Sequence, residues 1–415
     1  MTAYSQAVEA AMARMRTAFP ASPLQRNAYL SHRYGAEIYL KREDLTEVRS
    51  YKIRGAFNVF SKALEENEAP TDFVCASAGN HAQGFAWCCA RMGVRGVIFM
   101  PSTTPQQKVD KTATFGGDAV EIRLTGDFFD ECLAAALAYV EESGARFVPP
   151  FDAPDIIEGQ ATVTLEVLEA LGRAPDMMIL PVGGGGLSAG ATRLLSSREE
   201  ATELRYVEPA GAASLKRAVE EGMPVTLPEI DGFVDGAAVA RIGQETFAAL
   251  SRVFPAQVLT PPEDRVCGTM IEMLNVEGIV LEPAGALAID VLQDLREEIA
   301  GKTVVCVASG GNFDFERLPD VKERALRFRG LKKYYVLRMP QRPGALKDFL
   351  GLLGPNDDIF RFEYLKKSAR NFGSVLIGID SDAPENFPRL CARMTASGIA
   401  YQDITDNADL VGLIV

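Results

Sequence analysis

Short apolar runs alternate with longer helix-like segments through most of the chain, and this alternation constrains the fold more than any other feature. The runs are FVCAS from Phe73, VIFM from Val97, VEIRL from Val120, MMILPV from Met177, RYVEP from Arg205 and TVVCVAS from Thr303. Helical patterns lie between them, such as Phe128 to Glu142, Ile157 to Leu171 and Ala284 to Ala300. Continuously apolar strands separated by helices are typical of parallel sheets covered on both faces. The pattern predicts an α/β fold for residues 1 to 325.

From Lys332 onward the rhythm changes. The order becomes strand (Tyr334 to Met339), helix (Pro343 to Leu353), strand (Ile359 to Lys366), strand (Gly373 to Ile379), helix (Pro384 to Ala396) and a short terminal strand. This βαββαβ order is typical of a ferredoxin-like α+β unit. We therefore predict a domain over residues 1–325, with a smaller subdomain at 46–154 inserted in it, and a second domain over 332–415. A charged, helical connector joins them.

Composition excludes several kinds of partner and site. The chain has 43 basic and 56 acidic residues and a net charge of −13, which argues against nucleic acid because phosphate backbones require clustered positive charge. No secretion signal and no apolar run of membrane-spanning length are present, so no membrane association is expected. The cysteines form no C-x-x-C pair, which favours reduced thiols in the cytoplasm. With 2 histidines in the chain, histidine-based metal and acid–base chemistry is poorly supplied.

One lysine stands among apolar neighbours. In SYKIRGAFN, Lys52 follows Tyr51 and precedes Ile53, Ala56 and Phe57, which have the character of a partly buried wall. A lysine in such surroundings is either paired with an acid or chemically reactive. This stretch alone leaves both readings open, and paired structural lysines are the commoner case.

Four glycines, Gly183 to Gly186, follow the apolar run MMILPV and lead into a helix. Free N–H groups and the positive end of the helix dipole meet at such a junction, which makes it a candidate phosphate cradle. The stretch matches neither G-x-G-x-x-G nor G-x-x-x-x-G-K-[ST], so the dinucleotide and nucleoside-triphosphate fingerprints are absent. A tight turn that binds nothing is the alternative.

Two further loops lie at strand ends, where open α/β sheets usually bind their ligands. SAGNHAQG, Ser77 to Gly84, follows FVCA, and its hydroxyl, amide and turn N–H groups suit a carboxylate. His81 in this loop is more typical of a helix start than of a catalytic base. ASGGN, from Ala308, follows TVVCV, and its Ser309 would be an unremarkable turn residue on its own.

Together these features form the set that pyridoxal 5′-phosphate requires, namely a lysine for its aldehyde, a phosphate site and a partner for its ring nitrogen. SYKIRGAF, ASAGNHAQG, PVGGGGLSAG, DGAAVARIGQETF, EPAGALA and ASGGN also resemble the motifs of threonine and serine dehydratases, over about Ser22 to Asn312. That resemblance implies fold type II, the tryptophan synthase β-chain-like fold with two subdomains and mostly parallel sheets. The tail, YYVLRMPQRPGALKDFLGLL and onward, resembles one ACT-like regulatory domain of biosynthetic threonine dehydratases.

The resemblance implies a role for each matching residue. Lys52 would form the Schiff base and remove the α-proton, with Tyr51 against the cofactor ring where the family usually has phenylalanine. The other expected cofactor contacts are Asn80 to the phenolic oxygen, Gly183, Gly184, Gly185, Gly186 and Leu187 to the phosphate, and Ser309 to the pyridine nitrogen. The substrate carboxylate would lie on Ser77, Ala78, Gly79, Asn80 and His81.

The reaction implied by the resemblance is β-elimination from L-threonine, and secondarily L-serine, which yields 2-oxobutanoate and ammonia and begins isoleucine biosynthesis. The cofactor phosphate would protonate the leaving hydroxyl, because histidine is scarce. Racemase-like relatives carry a serine where this chain has Ala78, so racemisation should be slow. Glu208 and Ala212 match the divalent-metal site of that branch, but Ser214 stands where an aspartate is wanted, so no metal site is predicted.

By the same resemblance, isoleucine is the expected allosteric effector and a homo-oligomer, favoured as a tetramer, is the expected assembly. The turn in RPGAL supplies the candidate effector residues Pro343, Gly344 and Leu346, with Phe362 and Tyr364 as an adjoining apolar wall. Three alternatives stay open. They are a catabolic serine/threonine dehydratase, a β-replacement enzyme with an external nucleophile, and an amino-acid sensor whose catalytic site has decayed.

Overall fold

The structure is a computed structural model that describes residues 2–66, 70–365, 371–407 and 410. The chain divides into two compact units, Met1–Asp314 (the N-terminal unit) and Phe315–Val415 (the C-terminal unit). This division lies upstream of the predicted boundary at 325–332, and the connector helix falls in the C-terminal unit. The functional limits of the two domains stay predictions.

The N-terminal unit alternates strands and helices. Its strands are β1 Leu24–Arg26, β2 Glu37–Arg42, β3 Asp72–Ala76, β4 Arg95–Met100, β5 Val120–Leu124, β6 Arg146–Phe147, β7 Met177–Pro181, β8 Glu203–Val207, β9 Val258–Leu259 and β10 Thr303–Ala308. Its helices are α1 Ala3–Arg16, α2 Ala28–Tyr34, α3 Lys52–Leu64, α4 Asn80–Met92, α5 Gln106–Gly116, α6 Phe129–Ser143, α7 Pro154–Leu171, α8 Gly186–Arg198, α9 Ser214–Glu221, α10 Gln244–Leu250, α11 Glu263–Glu277, α12 Pro283–Asp290 and α13 Arg296–Ile299.

Two sheets organise this unit. The larger has the order β1-β2-β10-β7-β8-β9, and all its neighbours pair in parallel except β1 with β2. The smaller has the order β5-β4-β3-β6, is parallel throughout, and lies within the predicted subdomain at 46–154. The expected α/β fold with two subdomains and mostly parallel sheets is confirmed.

Strand β3 shows why the apolar runs are continuous. Phe73 packs in one core with Phe60, whose ring centroid lies 4.1 Å away, whereas Val74 packs in a second core with Cys132 of α6. Both faces of the strand are covered, so an alternating polar residue would be buried. Burial ends after Ala76, where the half-buried loop that leads into α4 begins.

The C-terminal unit has the predicted βαββαβ order after the connector helix. Its elements are α14 Leu318–Phe328, β11 Lys332–Pro340, α15 Ala345–Leu350, β12 Asp357–Leu365, β13 Phe372–Ser381, α16 Asn386–Ala396 and β14 Ala400–Asp403. The sheet order β12-β13-β11-β14 is antiparallel, and residues at every second position, such as Tyr335, Leu337 and Met339, face a core closed by the helices. The predicted α+β arrangement is confirmed, although Lys366, the last residue of the predicted second strand, lies outside the described residues.

Two predicted helices differ from the structure. The helix expected over Ala284 to Ala300 is divided into α12, a single 3-10 turn at Val291–Gln293, and α13. The Gln293 side chain donates to the Asp290 carbonyl at 2.9 Å, so a side chain takes a carbonyl that a continuous helix would use. The helix expected over Pro343 to Leu353 begins only after Gly344, which has a left-handed φ of 82°, and is the short α15.

Strand β2 was missed by the sequence analysis, although it lies inside the larger sheet between β1 and β10. Its sequence, EIYLKR, ends in two charged residues, yet Lys41 and Arg42 are both buried. The cysteines are free thiols, and all but the half-buried Cys391 are buried, in keeping with the predicted reduced state. Every helix among the described residues is too short or too polar to span a lipid bilayer.

Candidate active site

Lys52 is the first residue of α3, and its side chain is half-buried between two aromatic rings. Its Nζ donates to the Pro150 carbonyl at 2.8 Å and lies 5.5 Å from the Tyr51 ring centroid and 5.9 Å from that of Phe151. Burial lowers the pKa of Lys52 to about 8, and the Glu282 carboxylate opposes this shift. A larger fraction of the amine is therefore unprotonated near neutral pH than in an ordinary lysine, as attack on an aldehyde requires.

The loop between β3 and α4 holds the residues predicted for a carboxylate. Ser77 donates its N–H to Phe99 at 3.0 Å, and its Oγ accepts from Gly79 at 3.3 Å, which shapes the turn. Ser77, Ala78, Gly79 and Asn80 are half-buried, and α4 begins at Asn80. The first N–H groups of a helix have no partner within it, so this junction can receive an anion.

His81 is buried at the start of α4. Its Nε2 lies 2.8 Å from the Val148 carbonyl, which can only accept, so Nε2 carries the proton and Nδ1 is a bare acceptor. Burial and the nearby Lys52 charge lower the pKa of His81 to about 3, against the opposing bond to Val148. The ring therefore stays neutral and is poorly suited to carry a proton, in keeping with its interpretation as a helix-start residue.

The glycine loop joins β7 to α8 as predicted, with Gly186 and Leu187 in the first turn of the helix. Gly185 has a left-handed φ of 89°, which other residues adopt at a cost. The Gly184 carbonyl accepts from the Thr246 hydroxyl at 2.8 Å, and a Cβ at Gly184 would overlap the Phe151 ring. The loop is thus held open as a backbone surface without side chains, and it lies against the ring that also flanks Lys52.

Ser309 follows β10 and is buried. Its Oγ donates to the Ala284 carbonyl at 3.3 Å, and its own carbonyl accepts from the Tyr51 N–H at 3.2 Å. The third loop therefore lies directly against the start of α3. The hydroxyl has one proton, which it can give either to the Ala284 carbonyl or to a ring nitrogen placed nearby.

Glu282 and Asn312 are polar residues of this site that were not among the predicted site residues, and both bond Asn80. Asn80 donates from Nδ2 to Oε1 of Glu282 at 2.7 Å, and it accepts at Oδ1 from Nδ2 of Asn312 at 2.7 Å. Glu282 belongs to EPAGALA and Asn312 to ASGGN, both of which were recognised as motifs. The one further feature in the sequence was that Glu282 directly precedes Pro283, the first residue of α12. An acidic residue in that position is normally interpreted as a helix cap.

The predicted catalytic and cofactor residues are therefore brought to one region, with Tyr51 and Lys52 at the meeting point of three loops. The donor set fits pyridoxal phosphate, because it offers a weakly basic buried amine, a backbone cradle that side chains would fill, and a hydroxyl at the third loop. Gly184, Gly185, Gly186 and Leu187 would hold the phosphate, together with the half-buried Gly183. The individual roles stay predictions.

Glu208, which matches the divalent-metal pattern of the racemase-like relatives, has backbone N–H partners in this structure. Its carboxylate accepts from the N–H groups of Leu215 at 2.7 Å and Lys216 at 2.9 Å, at the start of α9, with Ser214 Oγ at 3.5 Å. Burial raises the pKa of Glu208 to about 8 in spite of these bonds. Within the described part of the chain, no cluster of three or more His, Cys, Asp and Glu side chains could hold a metal ion.

The predicted effector residues are spread over the C-terminal unit. Pro343, Gly344 and Leu346 lie on the exposed turn into α15, and Tyr364 is exposed on β12. Phe362 instead packs against the core of the unit. Because α15 is so short, its N-terminus is a weaker carboxylate site than the predicted longer helix would give. The five residues stay candidates.

Comparisons with known proteins agree with both units. A family model described as pyridoxal-phosphate dependent enzyme matches residues 16–310, and a model described as the C-terminal regulatory domain of threonine dehydratase matches residues 323–414. The chain is 46% identical over 395 residues to the L-threonine dehydratase biosynthetic IlvA of Bacillus subtilis (strain 168), which covers 95% of this chain and 93% of the relative.

Two more matches extend over most of both chains. The protein of the same name from Staphylococcus saprophyticus is 44% identical over 419 residues, with 100% of this chain and 99% of the relative covered. Among solved structures, the processed form of threonine deaminase isoform 2 from Solanum lycopersicum has a TM-score of 0.72 at 37% identity and covers 78% of this chain and 88% of its own.

Proposed function

Because the chain belongs to the pyridoxal-phosphate dependent enzymes and, among them, to the biosynthetic threonine dehydratases, we propose that it converts L-threonine to 2-oxobutanoate and ammonia. The observation that carries the proposal is the convergence of Lys52, the glycine loop and Ser309 in a unit followed by a matching regulatory domain. L-Serine is a secondary substrate. The reaction supplies the first step of isoleucine biosynthesis.

Lys52 removes the α-proton of the amino acid and then carries it. Bound pyridoxal phosphate supplies an electron sink for the Cα of an amino acid joined to it. The lowered pKa of Lys52, about 8, lets its amine take the α-proton near neutral pH. The Pro150 carbonyl, which accepts from Nζ, orients the amine between the Tyr51 and Phe151 rings and keeps bulk water from that side.

The remaining residues orient the substrate and limit the outcome. The loop from Ser77 to His81 receives the substrate carboxylate at the start of α4, through N–H groups other than those of Ser77 and Gly79, which are already bonded to Phe99 and to the Ser77 hydroxyl. Ser309 would partner the ring nitrogen of bound pyridoxal phosphate, and its neutral hydroxyl would not hold a proton there as a carboxylate would, which suits prompt elimination. Ala78 supplies no base on the second face, and neutral His81 supplies no proton, so reprotonation at Cα is slow. The enamine product then hydrolyses in solution, which returns the water that was lost.

The C-terminal unit adds regulation to this chemistry. We propose isoleucine as the effector, bound through the region of Pro343, Gly344, Leu346, Phe362 and Tyr364, because its branched side chain suits an apolar wall. The protein works as a homo-oligomer, with a tetramer favoured, in the cytoplasm. Allosteric coupling of about 1–3 kcal/mol corresponds to roughly 5- to 150-fold in affinity and is reciprocal. A bound threonine analogue must therefore weaken the binding of isoleucine by the same factor by which isoleucine weakens the binding of the analogue.

The alternatives differ in what they require. A catabolic dehydratase would run the same elimination without isoleucine control, and the regulatory domain match at residues 323–414 speaks against it. A β-replacement enzyme would pass the same enamine-level species to an external nucleophile such as sulfide. A decayed sensor would have no need of a buried amine of lowered pKa beside an intact glycine loop.

The test is an assay of 2-oxo acid and ammonia release from threonine and from serine, with and without isoleucine. We expect threonine to be preferred and isoleucine to inhibit. Added sulfide should not divert the product into a thioether or thiol amino acid. Failure to release 2-oxobutanoate from threonine in the presence of pyridoxal phosphate would refute the proposal, whereas activity without isoleucine inhibition would favour the catabolic alternative.

A further inference from the structure

Glu282 stands at the start of α12, but its side chain does not cap that helix. The backbone N–H of Glu282 donates to Gly310 at 3.2 Å, and its carbonyl accepts from Gly285 at 2.9 Å. The carboxylate is 6% exposed and turns away from the helix, and a Cβ at Gly310 would overlap it. The third loop therefore carries glycine where this carboxylate has to enter the site.

The hydrogen bonds around Asn80 determine the direction of its amide, with Glu282 as the acceptor. Asn312 donates from Nδ2 to the Val48 carbonyl at 2.8 Å, and since a carbonyl only accepts, the orientation of the Asn312 amide is determined. The same Nδ2 donates to Oδ1 of Asn80, so the Nδ2 of Asn80 must face Glu282. One Nδ2 hydrogen of Asn80 goes to the carboxylate, and the second remains available for an acceptor in the site.

Several charged and titratable groups face Glu282 from the neighbouring elements. Those groups are Tyr51 and Lys52 at the start of α3, Lys108 and Lys111 on α5, and Asp235 in the loop before α10. Burial, and then Asp235, raise the pKa of Glu282 to about 7, against the opposing Asn80 bond and the two α5 lysines. The Glu282 charge in turn favours the protonated form of Lys52.

We propose that Glu282 is a positioning residue for the cofactor end of the site. It holds the Asn80 donor toward the phenolic oxygen, and its charge favours the protonated form of the Lys52 nitrogen while that nitrogen is joined to the cofactor. The inference rests on the proposed function, since both effects act on bound pyridoxal phosphate. It differs from a packing role, because the negative charge and the acceptor atom make separate contributions. Asn312 supports the first contribution and has no part in the second.

Three variants of the full chain separate the two contributions. Glu282→Gln keeps an acceptor for Asn80 and removes the charge, whereas Glu282→Ala removes both. The matched control is Glu277→Gln, because Glu277 also accepts from an asparagine side chain, Asn27 Nδ2 at 2.8 Å, but lies at the end of α11. Two quantities are measured for each: the cofactor dissociation constant, and the visible absorbance of the bound cofactor as a function of pH.

In Glu282→Gln, we expect the absorbance transition that reports the proton on the Lys52 nitrogen to fall by roughly one pH unit, because an opposite charge nearby is lost. If the wild-type transition lies above the pH range in which the protein is stable, a transition that is seen within that range only in Glu282→Gln supports the inference equally. In Glu282→Ala, the cofactor dissociation constant should rise about tenfold, because the Asn80 amide loses its ionic acceptor. Glu282→Gln should lie between Glu282→Ala and wild type in affinity, and Glu277→Gln should match wild type in both measurements.

Two results would overturn the inference. One is a pH profile in Glu282→Gln that coincides with wild type over the whole range, and the other is a cofactor affinity of Glu282→Ala equal to that of Glu277→Gln. A chain that binds no pyridoxal phosphate in any form would instead refute the proposed function. If the wild type is active and binds the cofactor, and the Glu282 variants match it in cofactor affinity and in pH profile, only the positioning role is refuted.

Discussion

Two basic residues, Lys52 and Arg54, stand close together on helix α3, and their surroundings are opposite. Arg54 is fully buried and donates to Glu43 at 2.7 and 2.8 Å and to both carboxylate oxygens of Glu166 at 2.8 Å. Lys41 and Arg16 also bond Glu166, so that carboxylate is surrounded by cations. Burial alone would raise the pKa of Glu166, but Arg54 and Lys41 hold it well below its usual range.

Among the described residues, no carboxylate forms a hydrogen bond or ion pair with the Lys52 amine. The amine donates to a neutral carbonyl, and burial lowers its pKa to about 8 while the pKa of Glu282 rises to about 7. The Arg54 cluster stabilises charges, whereas the Lys52 site destabilises them. The same burial therefore serves structure in one place and reactivity in the other, and the number of direct ionic partners decides which.

The largest expected effect comes from Lys52→Ala. Turnover of threonine should fall to background, because the variant lacks both the amine that holds the cofactor and the base. Because the fold disfavours the Lys52 charge, its loss should change the free energy of unfolding of the cofactor-free protein by no more than about 1 kcal/mol. The measurements are 2-oxobutanoate formation and denaturant unfolding. Retained turnover would contradict the assignment, and strong destabilisation would contradict the contrast with Arg54.

Arg54→Met is the converse experiment on the same helix. It leaves Glu43 and Glu166 buried without their main partner, so we expect the free energy of unfolding to drop by about 3–5 kcal/mol. Arg95→Met is the control, since Arg95 also bonds two carboxylates, of Asp72 and Glu121, but its side chain is 49% exposed. Its expected cost is about 0–1 kcal/mol. Equal costs for the two variants in denaturant unfolding would remove the distinction drawn here.

The phosphate end of the site differs from both, because the residues predicted to hold the phosphate, Gly183 to Leu187, offer backbone N–H groups and include no cation. In Gly185→Ala, the Cβ would lie 2.7 Å from Cδ1 of Ile242 and φ is 89°, so the loop must shift, and the cofactor dissociation constant should rise about tenfold. Gly172→Ala is the control, because its φ of 65° imposes comparable strain with open space around the Cβ. Equal cofactor affinity in both variants would mean that the loop does not hold the phosphate.

The sequence predicted the parts of the fold and site that local pattern determines. β3, β7 and β10 are apolar because both faces are covered, and the loops after them are rich in glycine or small polar residues, so strands, loops and helix starts could be located. The contacts that define the site electrostatically are remote in sequence: Asn80 and Glu282 are 202 residues apart, and Asn80 and Asn312 are 232 apart.

Buried charged residues also prevented strand β2 from being predicted, because their partners lie outside the strand. Strand β2 reads as half-exposed because Lys41 and Arg42 look like solvent-facing residues. Their burial is compensated by ionic partners, chiefly the carboxylates of Glu166 for Lys41 and Asp44 for Arg42. Those partners cannot be identified from the strand itself. The roles of Lys52, Asn80 and Ser309 came from the family resemblance, and the structure adds their surroundings rather than their chemistry.

The smallest expected effect sharpens the contrast between the two faces of the site. Ala78 is half-buried between Ser77 and Gly79. Ala78→Ser would add a hydroxyl, without a large change in volume, at the position that the family resemblance places on the face opposite Lys52. Since neutral His81 cannot donate a proton and Lys52 serves one face, we expect a small but measurable yield of D-allo-threonine from L-threonine, or of D-serine from L-serine, beside elimination. Ala78→Gly is the control, because it perturbs the loop without supplying a hydroxyl. Chiral analysis of recovered substrate is the measurement. An unchanged D-amino acid yield in Ala78→Ser would mean that residues other than this one determine whether the second face is protonated.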